Sequence, residues 1–170
     1  MGPHMSQLTA AQLAVLKADM LANTDPDMTS ERDAGSDAGV ANWYNRTASP
    51  TFTVWRSSVG SSEILNAITW SGTGGMIARS QGERDALALM LSRGTVEPWR
   101  ANIRQGFADV FSGAAQAAVD SRSNVTAVCK RSATYIEKLF ATGTGSDASP
   151  ATLLFEGELR PETVSEARMS

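Results

Sequence analysis

The fold is decided by a central segment, residues 80–141, that begins SQGERDALALMLSRG at residues 80–94, continues TVEPWRANIRQGFADVFSG at residues 95–113 and closes with RSATYIEKLFA at residues 131–141. Apolar residues recur in this segment every three or four positions, which is the period of one face of an α-helix. In its clearest part that face consists of Trp99, Ile103, Phe107, Val110 and Phe111. We therefore predict that this face is buried and that the segment is the packing centre of the protein.

Capping residues predict where two of the helices begin. Ser80 and Glu83 have the spacing of a capping box, in which each side chain bonds the backbone N–H of the other residue. Thr9 and Gln12 have the same spacing at the start of a predicted helix over residues 9–23. We therefore expect a well-defined helix start at both places.

Other parts of the chain have weaker signals. Pro98 suits the first turn of a helix, where the N–H that proline lacks is not needed, and Ser132 is a candidate cap for a later helix. Residues 24–39 are rich in Asp, Ser, Thr and Gly, which favours a surface loop that ends in a short helix near Ser36. Residues 114–130 are predicted to form either one bent helix or two pieces.

Two segments favour extended structure. Residues 51–56 and residues 151–159 are rich in β-branched, aromatic and aliphatic residues, and each follows a Ser-Pro step. They are candidates for a small two-stranded β patch. The other elements are helical, so we predict a mainly α fold, a compact bundle of about seven short helices. Because 170 residues is the size of one domain, residues 5–170 are predicted to form a single globular helical domain.

Histidine and cysteine limit the chemistry that is open to the protein. The single histidine, His4, lies in Met-Gly-Pro-His at residues 1–4, which matches the remnant of a cleaved expression tag, so we expect the native chain to begin at Met5. Without His4 there is no imidazole for a Ser-His-Asp triad, a Cys-His pair or a zinc ligand. Cys129 is the one thiol, and we predict that it fills space in the structure. We therefore predict a protein that is not an enzyme and that uses neither a metal nor a cofactor.

Charge and hydropathy narrow the classes of partner. Fifteen Lys and Arg against 18 Asp and Glu give a net charge of −3 and a sequence pI near 5.2. Non-specific nucleic-acid binding needs a basic surface, and no apolar run of the sequence approaches the ~18 residues that a membrane span requires. We therefore expect a soluble protein whose partner is another protein, and not a membrane or a nucleic acid. The oligomeric state stays open.

Five residues are candidates for binding. Arg100 and Arg104 are one helical turn apart, so their side chains are candidates to clamp a carboxylate or a phosphate. Arg84 belongs to the same cluster of arginines in the sequence, and Trp43 and Trp55 are candidates to anchor a partner. The simpler alternative is that the arginines form surface salt bridges and that the tryptophans lie in the core.

Four motifs carry a resemblance to a known family: VWRSSV (residues 54–59), ARSQGERDA (78–86), ANIRQGFADVFSG (101–113) and KLFATGTGSDASPATLLFEGEL (138–159). Through them the chain resembles an uncharacterised family of small tailed-phage and prophage proteins. The resemblance implies a viral origin and a location in the bacterial host cytoplasm during infection or in the virion. It implies no catalytic or binding residues. Residues 117–130 depart from the family pattern because they are more polar than expected there.

Three functions are compatible with these observations. The first is a non-enzymatic phage protein that acts through protein–protein interaction, in virion structure or assembly. The second is a phage effector that inhibits a host enzyme or an antiviral defence system by binding it. The third is a binder of a small anionic ligand that uses Arg100 and Arg104. We favour the first because of the phage resemblance, the missing catalytic constellation and the compact helical pattern. The small size, the acidity and the lack of catalytic chemistry fit the second equally well.

Overall fold

The computed structural model describes residues 7–170, so the predicted tag remnant at residues 1–4 and the predicted native start at Met5 lie outside the described residues. Helices hold 53% of the chain, which confirms the mainly α prediction. The described residues form two compact units: unit 1 comprises residues 7–54 and Ser132–Ser170, and unit 2 comprises Trp55–Arg131. The single-domain prediction stays a prediction, because two compact units can unfold together or separately.

The α-helices of the described residues are, in chain order, α1 (Ala10–Ala22), α2 (Pro26–Asp33), α3 (Asp37–Tyr44), α4 (Ser61–Ala67), α5 (Gln81–Leu91), α6 (Ala101–Val110), α7 (Gln116–Val128), α8 (Tyr135–Leu139) and α9 (Pro161–Met169). A 3₁₀ turn covers Met76–Ala78. The strands are β1 (Thr53–Trp55), β2 (Val59–Gly60), β3 (Thr95–Val96), β4 (Lys130–Ser132), β5 (Ala141–Thr142) and β6 (Thr152–Leu153). They form the two-stranded sheets β1–β4, β2–β3 and β5–β6, and no barrel is formed among these strands.

Unit 1 is built around α3, which packs on α2, α8 and α9, while α1 packs on α9. The predicted capping box is present, since the Gln12 amide donates to Thr9 Oγ1 at 3.2 Å and the Thr9 amide donates to Gln12 Oε1 at 2.9 Å. Leu16 and Met20 bury the inner face of α1. The core of unit 1 includes Leu16, Met28, Val40, Tyr44, Ile136 and Phe155.

The loop prediction for residues 24–39 is wrong over most of its length, because this segment contains α2. The Oδ1 atom of Asp25 accepts hydrogen bonds from the amides of Asp27 and Met28, at 3.0 and 3.2 Å, and thereby caps the helix. Pro26 occupies the first helical position, and Met28 is fully buried. An Asp cap followed by Pro is a strong start signal, and it outweighs the polar composition of the segment.

The predicted β patch is present, but its pairing differs from the expected one. β6 pairs antiparallel with β5, with Ala141 opposite Leu153. Residues 51–56 reach residues 151–159 through a single parallel bridge between Val54 and Ala151. β5 and β6 are close in sequence, so closing the loop between them loses less chain entropy than joining segments about 100 residues apart.

Unit 2 contains residues 80–131 of the predicted packing centre, whereas its closing part, residues 132–141, belongs to unit 1. Phe107, Val110 and Phe111 are buried, Ile103 is partly buried against the same core, and α5 packs on α6. The Ser80–Glu83 capping box is present at the start of α5. These four residues, in α6 and at its C-terminal end, confirm that most of the predicted apolar face points inward.

Two predicted helix starts are wrong. α6 begins at Ala101, and Pro98 lies before it in a turn that the Arg100 amide closes by donating to the Glu97 carbonyl at 3.0 Å. The reason is β3: Val96 pairs with Val59, which keeps the chain just before Pro98 extended.

The second wrong start concerns the helix that follows β4. Ser132 ends β4, and α8 is capped instead by Thr134, whose amide donates to Glu137 Oε2 at 3.0 Å. Thr134 is a better cap than Ser132 because Glu137 lies three residues after Thr134 and completes a capping box. The segment 114–130 resolves as one helix, α7, which runs unbroken through its polar middle.

Cys129 is buried in unit 2, and burial raises the pKa of its thiol to about 11. We expect the native protein at pH 8 to react with a thiol reagent such as DTNB roughly 100-fold more slowly than the urea-unfolded protein. Since only the thiolate reacts, the native rate should keep rising with pH up to about 11, whereas the unfolded rate levels off near the ordinary cysteine value of about 8.5. Equal rates at pH 8 would show that Cys129 is accessible.

Candidate functional site

The predicted binding residues fall in three places. Trp43 lies in the core of unit 1, and Arg84 lies at the start of α5 in unit 2. Arg100, Arg104 and Trp55 come together in unit 2, although Trp55 is far from the two arginines in sequence. This last group is the candidate functional site.

Two stacked pairs form the site, which we call the Arg–Trp cluster: Trp55, Trp99, Arg100 and Arg104. The guanidinium carbon of Arg104 lies 4.5 Å from the centre of the Trp55 ring, and that of Arg100 lies 4.7 Å from the centre of the Trp99 ring. A guanidinium group in this position is attracted by the quadrupole of the indole ring. Each arginine is therefore held over a different tryptophan.

Three short elements position the cluster. β1 carries Trp55, the turn before α6 carries Trp99, and the first turn of α6 carries Arg104. Arg104 Nη1 donates to the carbonyls of Pro98 and Trp99, at 2.7 Å in both cases. The Arg104 side chain thus connects the ring on β1 to the backbone of the turn.

The two arginines differ in their electrostatic environment. Arg100 is exposed and pairs with Glu97. Arg104 is partly buried, and desolvation lowers the pKa of its guanidinium group. Within residues 7–170, the hydrogen bonds of Arg104 go to carbonyl oxygens and not to a carboxylate.

The charge of the chain is divided unequally between the two units. Unit 2 has nine Lys and Arg against six Asp and Glu, a net charge of +3. Unit 1 has six Lys and Arg against twelve Asp and Glu, a net charge of −6. The Arg–Trp cluster therefore lies on the basic unit of a chain whose overall charge is negative, which the whole-chain value of −3 conceals.

Other arginines of unit 2 donate hydrogen bonds to backbone carbonyls. Arg79 Nη2 donates to the Ser112 carbonyl at 2.7 Å, Arg84 Nη1 donates to the Ile77 carbonyl at 3.2 Å, and Arg122 donates to the Phe111 carbonyl. Carbonyls near helix ends lack intrahelical donors, and these guanidinium groups supply them. Arg84 is thus placed as a structural donor with an exposed side chain.

Trp43 is a core residue of unit 1 and is only 5% exposed. Its ring stacks on Tyr135 with a centroid distance of 4.2 Å, and its Nε1 donates to Asp25 Oδ1 at 3.1 Å. It lines a cleft of about 420 Å³ together with Tyr44, whose hydroxyl donates to Asp19. Burial raises the pKa of Tyr44 well above its ordinary value, so its hydroxyl keeps its proton.

The sequence predicted the arrangement of these side chains only in part. Arg100 and Arg104 are one turn apart as predicted, but each guanidinium group lies over its own ring. Trp99 was assigned by its spacing to the buried face, whereas the structure leaves it partly exposed beneath Arg100. An Arg next to a Trp in a turn is the one sequence signal that points to the second stack.

Within the described residues, no group of three or more His, Cys, Asp or Glu side chains is arranged to hold a metal ion. None of the helices in residues 7–170 is both long enough and apolar enough to cross a membrane. Comparison with known proteins found no matching family model, no matching curated protein and no matching solved structure.

Proposed function

We propose that this is a non-enzymatic phage protein that acts through protein–protein interaction in virion structure or assembly, with the Arg–Trp cluster as its contact. The observation that carries the proposal is the pair of guanidinium–indole stacks on unit 2. Trp and Arg are enriched among the few residues that dominate the binding energy of protein interfaces. The phage origin is supported by the resemblance of the four sequence motifs.

The cluster is organised before any partner binds. Arg104 is fixed by two carbonyls and by the Trp55 ring, so its long side chain has little rotamer freedom left to lose. Ordering a flexible side chain at an interface costs about 0.5–1.5 kcal/mol. A partner carboxylate that pairs with Arg104 would avoid most of this cost, which favours an acidic contact on the partner.

A small anionic ligand is the weaker alternative. The two guanidinium groups of the cluster lie over different rings, and Arg100 already pairs with Glu97. A phosphate clamp needs two donors that point at one position. The stacked arrangement favours a larger and flatter contact, as a protein surface provides.

The proposal is tested with Arg100→Ala, because Arg100 is exposed and its removal leaves the core of unit 2 intact. We expect immobilised protein to capture a partner from a lysate of phage-producing cells, and Arg100→Ala to capture at least about tenfold less of it, as for a hot-spot residue. Arg93→Ala is the matched control, since Arg93 is an exposed arginine outside the cluster.

The identity of the captured protein separates the two protein-binding functions. A phage morphogenesis protein supports assembly, and a host enzyme or defence protein supports the effector function instead. Equal capture by Arg100→Ala and the original chain would contradict a role for the cluster.

A further inference from the structure

We propose that copies of this chain associate head to tail, with the outer face of α1 in unit 1 of one copy docking on an apolar patch of unit 2 in the next copy. Both surfaces lie outside the Arg–Trp cluster. The inference therefore stands or falls independently of the function proposed above.

The apolar patch of unit 2 consists of Leu65, Trp70 and Ile77. Ile77 is 67% exposed and Trp70 is 48% exposed. The three residues are neighbours in the structure, because Trp70 Nε1 donates to the Leu65 carbonyl at 3.2 Å and the Ile77 amide donates to the Trp70 carbonyl at 3.0 Å. Arg84 bonds the Ile77 carbonyl and places a cation at the edge of the patch. Large exposed apolar side chains in one patch mark an interaction surface.

The turn at residues 71–75 builds this patch. Gly72 and Gly74 have φ angles of 86° and 83°, which residues with a side chain rarely adopt. A side chain at Gly75 would lie 2.4 Å from the Ser71 carbonyl oxygen. The glycines let the chain reverse tightly, and Ile77 is thereby brought next to Trp70.

The second surface is the outer face of α1. Its inner face is buried through Leu16 and Met20, yet the outer face is also apolar, and Leu21 is 68% exposed. Val15 is exposed on the same side, one to two turns before Leu21, and the exposed positions around them are alanines. A helix that is apolar on both faces is normally covered on both. Among residues 7–170, none covers this outer face.

Charge complementarity between the two units favours a second copy as the occupant. Unit 1 has a net charge of −6 and unit 2 a net charge of +3. Contacts of unit 1 with unit 1, or of unit 2 with unit 2, bring like charges together, whereas unit 1 of one copy attracts unit 2 of another. Because the contact joins two different surfaces, it repeats from copy to copy and produces a ring or a filament.

The test uses one charged substitution on each surface, Leu21→Lys and Ile77→Glu, at positions exposed enough for the fold to tolerate them. By sedimentation velocity at about 200 µM protein in low salt, we expect the original chain to form species larger than a dimer. Each variant alone should remain monomeric. A mixture of the two should form a dimer and nothing larger, because only one intact pair of surfaces is available. High salt should weaken the association.

Leu89→Glu is the matched control, because Leu89 is 76% exposed on α5 and lies outside the patch. This variant should assemble like the original chain. A monomeric original chain, an unaffected Ile77→Glu or Leu21→Lys variant, or a mixture that stays monomeric would each overturn the proposal. Partner capture by Ile77→Glu through the Arg–Trp cluster should be unchanged, which separates failure here from failure of the proposed function.

Discussion

Replacing Phe111 with alanine is expected to lower the free energy of unfolding by about 3–5 kcal/mol. Phe111 is fully buried in the core of unit 2, at the end of α6, so its removal leaves a cavity that the surrounding helices fill only in part. Urea unfolding followed by circular dichroism measures the change.

Leu89→Ala is the control for this effect, because Leu89 is largely exposed in the same unit. We expect it to change the free energy of unfolding by less than about 0.5 kcal/mol. A loss below about 1 kcal/mol for Phe111→Ala would contradict the position of Phe111 in a closely packed core.

Replacing Trp43 with alanine is expected to destabilise unit 1 by about 3–5 kcal/mol. The change removes the stack on Tyr135 and leaves the Asp25 carboxylate without its indole donor. Trp70→Ala is the matched control, since Trp70 is half-exposed and its truncation leaves no internal cavity. Thermal and urea unfolding should separate the two variants clearly. Equal effects would show that Trp43 is a surface residue.

Together these two variants test the single-domain prediction. Phe111 lies in unit 2 and Trp43 in unit 1. If the chain unfolds as one domain, both substitutions shift one common transition. If the units unfold separately, each substitution shifts only the transition of its own unit.

Local signals in the sequence were sufficient for much of the helical fold. A capping box needs only two residues three positions apart, and those at Thr9 and Ser80 are present in the structure. The apolar spacing in α6 likewise depends on a single helix, and Phe107 and Phe111 are buried as it predicts. Such features need no knowledge of the rest of the chain.

The errors have two kinds of cause. The Asp25-Pro26 start of α2 is itself a local signal that polar composition concealed. The position of Pro98 depends on the pairing of β3 with β2, a contact between segments that are far apart in sequence. Pairing of short strands at long range has almost no local signature. The pairing of residues 51–56 was predicted wrongly for the same reason.

The candidate site could be predicted only in part for the same reason. Arg100 and Arg104 were identifiable by their spacing, and Trp55 by its residue type. Their arrangement depends on β1 placing the Trp55 ring under Arg104, and on the turn before α6 placing Trp99 under Arg100. The opposite charges of the two units depend on where the chain divides, which composition alone does not reveal.

Photo-crosslinking in phage-producing cells tests most directly whether the protein acts through a protein contact at the Arg–Trp cluster. Trp99 is replaced by p-benzoylphenylalanine, which keeps an aromatic ring at this position, and the same residue is placed at Leu89 as the control outside the cluster. We predict a discrete adduct with one other protein from position 99 and none from position 89. No protein adduct at position 99, or the same adducts from both positions, would contradict the proposed function.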